Sequence, residues 1–298
     1  MKNPVKKSSR SVSRSPKSQD QEPASKPAGG QVERLRTVQV AAAAHGKSLL
    51  PLAGHTALVT GSSRGLGKAM AMALGAAGAK VAINYQNGHE KAEQVFAEFK
   101  GLGYQGGLFR GDVIDASDTK RLVREVGKQL GPVDILVISA TPDQPHKPIE
   151  EYDWAFYQSM LDFFVKSPYL LTREALPMMK QQRWGRIINI GSEVFRLGVP
   201  NFSAYVAAKG AQTGWTRSMA RELAPHNITV NMVSPGWIPV ERHANDSQRD
   251  KDCYLATIPM LRWGVPADIG GIISFLASDA ASFITGQDVA VNGGVTVC

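Results

Sequence analysis

Residues 60–67 read TGSSRGLG, directly after the run HTALV (55–59) and directly before the small-residue stretch KAMAMALGAAGA (68–79). A short apolar strand, a glycine turn and an immediate helix make the opening of a βα unit. Glycines at 61, 65 and 67 permit a tight turn and let the backbone approach a pyrophosphate lying over the helix N-terminus. A glycine-rich turn alone is weak evidence. Its place between a strand and a helix, in the first unit of the chain, predicts a nucleotide site.

Outward from this turn the alternation continues. KVAINY (80–85), GGLFRGDV (106–113), PVDILVISA (132–140), WGRIINIGS (184–192), ITVNMVSPG (228–236) and QDVAVNGG (287–294) read as further short apolar strands. Between them lie the helical patterns HEKAEQVFAEFKGLG (89–103), SDTKRLVREVGKQLG (117–131) and DIGGIISFLAS (268–278), and the helix around Tyr205. The stretch 151–181 is long enough for one extended helix, perturbed at Pro168. About seven strands separated by helices predict an α/β fold. It is a single doubly wound parallel sheet of Rossmann type, with helices on both faces, over residues 51–298.

Charge separates this domain from what precedes it. Residues 1–47 hold ten basic and three acidic side chains, so they account for +7 of the net charge of +8. Their Ser, Pro, Lys and Arg content is that of a largely disordered arm, with an extra short helix conceivable over 31–50. A solvated tail is the expected reading, in preference to a nucleic-acid-binding arm or an organellar targeting segment with its acids and prolines. No apolar run approaches the ~20 residues of a membrane span. Two cysteines, Cys253 and Cys298, make no disulfide framework and fit a reducing cytoplasm. No His/Cys cluster has metal-ligand spacing, so no metal is expected.

The second strand bears on cofactor choice. It ends Ile83-Asn84-Tyr85-Gln86, without the carboxylate that usually holds a 2′-hydroxyl, and Arg64 inside the turn suits a 2′-phosphate. Both features favour NADP(H) over NAD(H). Further on, SAYVAAKGA (203–211) places Tyr205 and Lys209 four apart, on one helix face. A cation beside a phenol is expected to lower the tyrosine pKa toward the working range.

The motif TGxxxGxG with a downstream Ser, Tyr and Lys resembles the short-chain dehydrogenase/reductase family, and the pattern is most like its 3-oxoacyl-carrier-protein reductase branch. Ser192 lies thirteen residues before Tyr205 and Lys209 four after it, which is the family's spacing. Asp112-Val113, Pro235-Gly236 and RWGVPADI (262–269) are further matches. The resemblance implies Tyr205 as proton donor, Lys209 as the group lowering its pKa and holding the nicotinamide ribose, and Ser192 as the group orienting the substrate oxygen. It implies a cofactor lined by Gly61, Ser63, Arg64, Gly65, Leu66, Gly67, Asn84, Tyr85 and Gln86. Asp112 and Val113 would meet the adenine, Ser139 and Ala140 the adenosine ribose, and Pro235, Gly236 and Ile238 the nicotinamide, beside Tyr205 and Lys209. The implied activity is NADPH-dependent reduction of a carbonyl, foremost a 3-oxoacyl thioester. Oxidation of a sugar, polyol or other secondary alcohol, or a weakly catalytic nucleotide-binding regulator, are the alternatives. A homotetramer is implied by the resemblance as well.

Two departures stand out. Ile138-Ser139-Ala140-Thr141 replaces the family's Asn-Asn-Ala-Gly, and Phe164 falls where the family has a water-anchoring asparagine. A proton relay through that water would be rerouted or lost, unless a shifted alignment brings Asp162 there instead. The aromatics Trp154, Phe156, Tyr157, Phe163 and Phe164 are expected to serve helix packing. The mixed charges of 237–262 are expected to form a solvated face on a flexible flap, with His226 a surface cap and His243 a lesser candidate for a substrate contact.

Overall fold

A computed structural model describes residues 50–297 of the chain. Seven parallel strands run β1 (Thr56–Val59), β2 (Lys80–Tyr85), β3 (Gly106–Arg110), β4 (Ile135–Ile138), β5 (Gly185–Ile190), β6 (Ile228–Pro235) and β7 (Asp288–Val291). Their order across the sheet is β3-β2-β1-β4-β5-β6-β7. The order reverses direction between β1 and β4, where the expected doubly wound sheet opens a crevice at its carboxyl edge. The predicted arm over 1–47 and Cys298 lie outside the described residues.

The central strands are apolar on both sides because both faces are covered. On one face Val59, Ile83 and Val137 pack with Leu74 of α1 (Gly65–Ala76), Phe99 of α2 (His89–Gly101) and Ile273. On the other, Leu58, Ala82 and Leu136 meet Leu122 of α3 (Ala116–Gln129) and Leu171, Leu223 and Ile187. Each such fully buried side chain contributes about 1.5–3 kcal/mol. Register then sets the site: Val59 pairs with Ile83 on one side and Val137 on the other, so the glycine turn emerges between the ends of β2 and β4.

The long helix of 151–181 starts at Trp154, capped by the Asp153 carboxylate, which accepts from the Phe156 amide at 2.7 Å. It runs as α4 (Trp154–Leu161), a π-turn over Asp162–Lys166 and α5 (Ser167–Gln182). The perturbation expected at Pro168 is this π-turn. Proline has no amide to give the carbonyl four residues back, and the widened turn accommodates that loss. A short α6 (Val194–Leu197), the long α7 (Ser203–Leu223), α8 (Gln248–Leu255) and α9 (Pro266–Ala277) complete the helices used below. The flap holds α8 and a single turn at Glu241–His243.

Candidate active site

The turn after β1 is held by its neighbours, and the glycines are where the backbone is closest. Gly61 has φ +63°, and a Cβ there would lie 2.8 Å from Ala140 Cα. A Cβ on Gly67 would lie 2.4 Å from the Gly61 carbonyl oxygen. Thr60, fully buried, accepts from the Ser139 and Ala140 amides at 2.8 and 3.0 Å and so ties the β1 and β4 ends together. Asn84 does not face the crevice. It is 2% exposed, accepts from the Gly61 amide at 3.2 Å and donates to the Phe109 and Gly111 carbonyls. These contacts make it a brace beneath the turn.

Other nucleotide candidates divide similarly. Arg64 is exposed at the start of α1, while Ser63 and Leu66 are half-buried beside it. Gln86 donates to the Asp112 carboxylate at 2.8 Å, closing the ends of β2 and β3 over one another. Tyr85 is buried with its hydroxyl on His89, and Val113 belongs to the core, so neither side chain faces the crevice. A Cβ on Gly236 would lie 2.5 Å from the Tyr254 hydroxyl, and Ile238 is buried beside it.

The turn fits an anion, because it already holds one. The Gly65 amide donates to the Glu241 carboxylate at 3.1 Å, across 176 residues of sequence. A carboxylate at a helix N-terminus meets the unsatisfied amides and the positive end of the helix dipole. Glu241 is exposed, as expected of the flap's charges, and makes this contact from the surface.

Ser192, Tyr205 and Lys209 are brought together at the carboxyl edge of β5. Ser192 follows that strand after Gly191, and the other two stand on the buried face of α7. Burial raises the Tyr205 phenol, while Ser192 beside it and the Arg242 charge act in the opposite direction. Burial outweighs both and leaves Tyr205 above its ordinary value. Lys209 is driven well below its ordinary value, first by burial and then by Arg242. The expected depression of Tyr205 by Lys209 does not appear among the influences on the phenol. Desolvation disfavours both charges at once, and the cation acting on the phenol is Arg242.

Phe164, not Asp162, occupies the position beside this pair. Its ring lies 5.3 Å from that of Tyr205, with the Lys209 ammonium 3.7 Å from its centroid. Asp162 accepts from Gln158 at 3.0 Å instead. Phe164 therefore packs as expected and also faces a cation. Phe156, Tyr157 and Phe163 pack against the same cluster, whereas Trp154 is 70% exposed and stacks on Tyr157. His243 is turned into the flap, with Nδ1 on the Val240 amide, and His226 is half-buried in a turn after α7.

Sequence reasoning missed the residues that join elements. Glu193, 3% exposed, accepts from the Tyr254 hydroxyl of α8 and from Asn292 at 2.9 Å. Tyr254 in turn accepts from the Trp237 amide at 2.8 Å. This chain of bonds fastens the flap to the residue next to Ser192. Beneath it lies a cavity of about 410 Å³ lined by Gly236, Trp237, Tyr254, Met260 and Asn292. That cavity reaches the nicotinamide candidates Gly236 and Ile238 and does not include Tyr205. Among the described residues no group of three or more potential metal ligands occurs, and no helix is long and apolar enough to cross a membrane.

A parallel sheet that opens beside a glycine turn, with a Ser-Tyr-Lys cluster at the same edge, defines a nicotinamide-nucleotide-dependent oxidoreductase of CH–OH and carbonyl groups. A family model described as Enoyl-(Acyl carrier protein) reductase matches residues 61–296. The chain is 40% identical over 242 residues to a 3-oxoacyl-(acyl-carrier-protein) reductase of Staphylococcus aureus, covering 80% of this chain and 97% of the relative. A gluconate 5-dehydrogenase of Burkholderia cenocepacia, solved with NADP and tartrate, superimposes with TM-score 0.77 at 30% identity, covering 83% of this chain and 96% of that one. A 3-oxoacyl (acyl-carrier-protein) reductase of Agrobacterium tumefaciens with NADP bound gives 0.75 at 32%, with the same coverage. The chain belongs to the short-chain dehydrogenase/reductase family.

Proposed function

We propose that the chain reduces a 3-oxoacyl thioester to the secondary alcohol with NADPH as hydride donor. The observation that carries this reading is Tyr205 and Lys209 one helical turn apart on the buried face of α7, with Ser192 beyond the end of β5 acting on the Tyr205 phenol. The substrate oxygen would sit between the two hydroxyls. Ser192 holds it in place, and Tyr205 gives it a proton as negative charge develops. Bound NADPH supplies the hydride from the nicotinamide C4. In this reading burial raises the Tyr205 phenol further and favours its role as proton donor, the role that reduction needs.

Gly61, Gly65 and Gly67 would let the pyrophosphate approach the start of α1, where Glu241 now stands in for it. NADP(H) is preferred in this reading because Arg64 is exposed at the turn and β2 ends without an acid. The two solved relatives that hold NADP agree with that preference. A reducing cytoplasm and a homotetramer complete the proposal.

The test is turnover by purified protein of acetoacetyl thioester with NADPH against NADH. Oxidation of NADPH at least tenfold more efficient than of NADH supports it, and none with this or other ketones overturns it. Arg242 favours a second reading, since a guanidinium whose charge reaches both Tyr205 and Lys209 suits an acidic polyol. NADP reduction by gluconate, without activity on the thioester, would select that reading.

A further inference from the structure

We infer that Gln212 is a positioning residue for Lys209: its side-chain carbonyl holds the buried ammonium in place and in its charged form. The inference rests on the proposal that Lys209 takes part in the reaction.

Lys209 is 3% exposed, so each of its three N–H groups needs a partner within the protein. The ammonium donates to the Ile190 carbonyl at 2.6 Å and to Gln212 Oε1 at 3.1 Å, and the Phe164 ring lies 3.7 Å away. The first of these is backbone, present whatever the side chains are. The ring offers a face and no lone pair. Gln212 therefore supplies the side-chain acceptor in the set.

Its amide orientation follows from the same contact. Turned over, the NH2 would meet the ammonium, donor against donor. In the orientation that works, Gln212 Nε2 is buried with no partner among the described residues. Asn189 Oδ1 is buried and unpartnered too, because Asn189 Nδ2 donates to Thr216 Oγ1, whose proton is used on the Gln212 backbone carbonyl. A residue needed only for packing would be apolar here, since a buried unsatisfied amide is costly. The amide at 212 makes physical sense through what its oxygen does for Lys209.

Lys209 is also faced by Tyr205 on its own helix, by Arg242 from the flap and by Asp288 of β7. Those groups are unchanged by substitution at 212, so a change in Lys209 titration there reports the lost acceptor. Gln212→Leu keeps the volume and removes the hydrogen bond. Gln212→Glu keeps an acceptor and adds a charge.

The experiment follows the Lys209 ε-carbon by NMR against pH in the unliganded full chain, with thermal melting as a check of folding. Without the acceptor, Gln212→Leu should lose the Lys209 proton at a pH about 1 lower than the wild type, and Gln212→Glu at a higher pH than the wild type. Wild type and Gln212→Leu titrating within about 0.3 of each other would overturn the inference. With substrate, Gln212→Leu should lose roughly tenfold in kcat with KM within about twofold, and Gln212→Glu should recover part of it. A loss only in KM, or a Gln212→Leu kcat equal to the wild type's, counts against the inference. Should no substrate be turned over, the titration alone decides, so failure of the proposed reaction and failure of the Gln212 role remain distinct.

Discussion

Tyr205 is a phenol that burial keeps protonated, and its pH behaviour follows from the sign of that shift. In reduction it gives a proton, so the acid form is the working form and the rate should stay flat through neutrality. In the reverse oxidation the phenolate is the working form, and a raised pKa makes it scarce. Oxidation should climb with pH by up to about tenfold per unit between pH 7 and 9, measured as NADP reduction at saturating alcohol. Tyr205→Phe should lose on the order of 10³-fold in kcat with NADPH affinity kept within a few-fold. The Tyr205–Lys209 spacing was legible in sequence because both lie on one helix, where four residues is one turn. The direction of the pKa shifts was not legible. It depends on how completely α7 and the Phe164 ring exclude water, and Phe164 is 41 residues away in the chain.

The flap is the element whose role sequence concealed. Its mixed charges read as solvated, and Glu241 is exposed, but it also reaches the Gly65 amide while Tyr254 reaches Glu193. Long-range pairs of this kind leave no periodicity and no motif, so they surface only when α8 and the glycine turn have positions. In the proposed binding mode Glu241 would compete with a cofactor phosphate for the same amide. Glu241→Gln should therefore tighten NADPH binding about three- to tenfold by fluorescence titration, and equal affinity would mean that the carboxylate swings away without cost. Glu193 carries the other consequence. Burial raises its carboxyl, so the folded chain keeps that proton to higher pH than the unfolded chain. The associated stability is present below the unfolded value of about 4.3 and is lost as pH rises through the folded value. Glu193→Gln should flatten this part of the pH dependence, seen in urea midpoints compared from pH 4.5 to 7.

At the scale of the whole molecule the parallel, doubly wound sheet and both packed faces were legible from alternation alone, since apolar strands between helices admit few arrangements. The π-turn and the amino edge of the sheet were less so. At that edge Arg186 is fully buried, donates to the Gly185 and Asn227 carbonyls and to Asp279, and lies 4.3 Å over the Trp184 ring. Asp134 nearby accepts from the Thr56 amide and bonds His55, which stacks on the same tryptophan. Arg186→Ala should cost about 3 kcal/mol in denaturant unfolding while leaving the turnover of folded protein unchanged, because the candidate site lies at the opposite edge. A parallel sheet forces this division, with every strand's carboxyl end on one side and every amino end on the other. For protein engineering it means that the exposed flap positions within 237–262, apart from Trp237, Ile238, Glu241 and Tyr254, form a writable margin. Libraries randomised there can explore new substrates while the Arg186 edge continues to hold the strands in register.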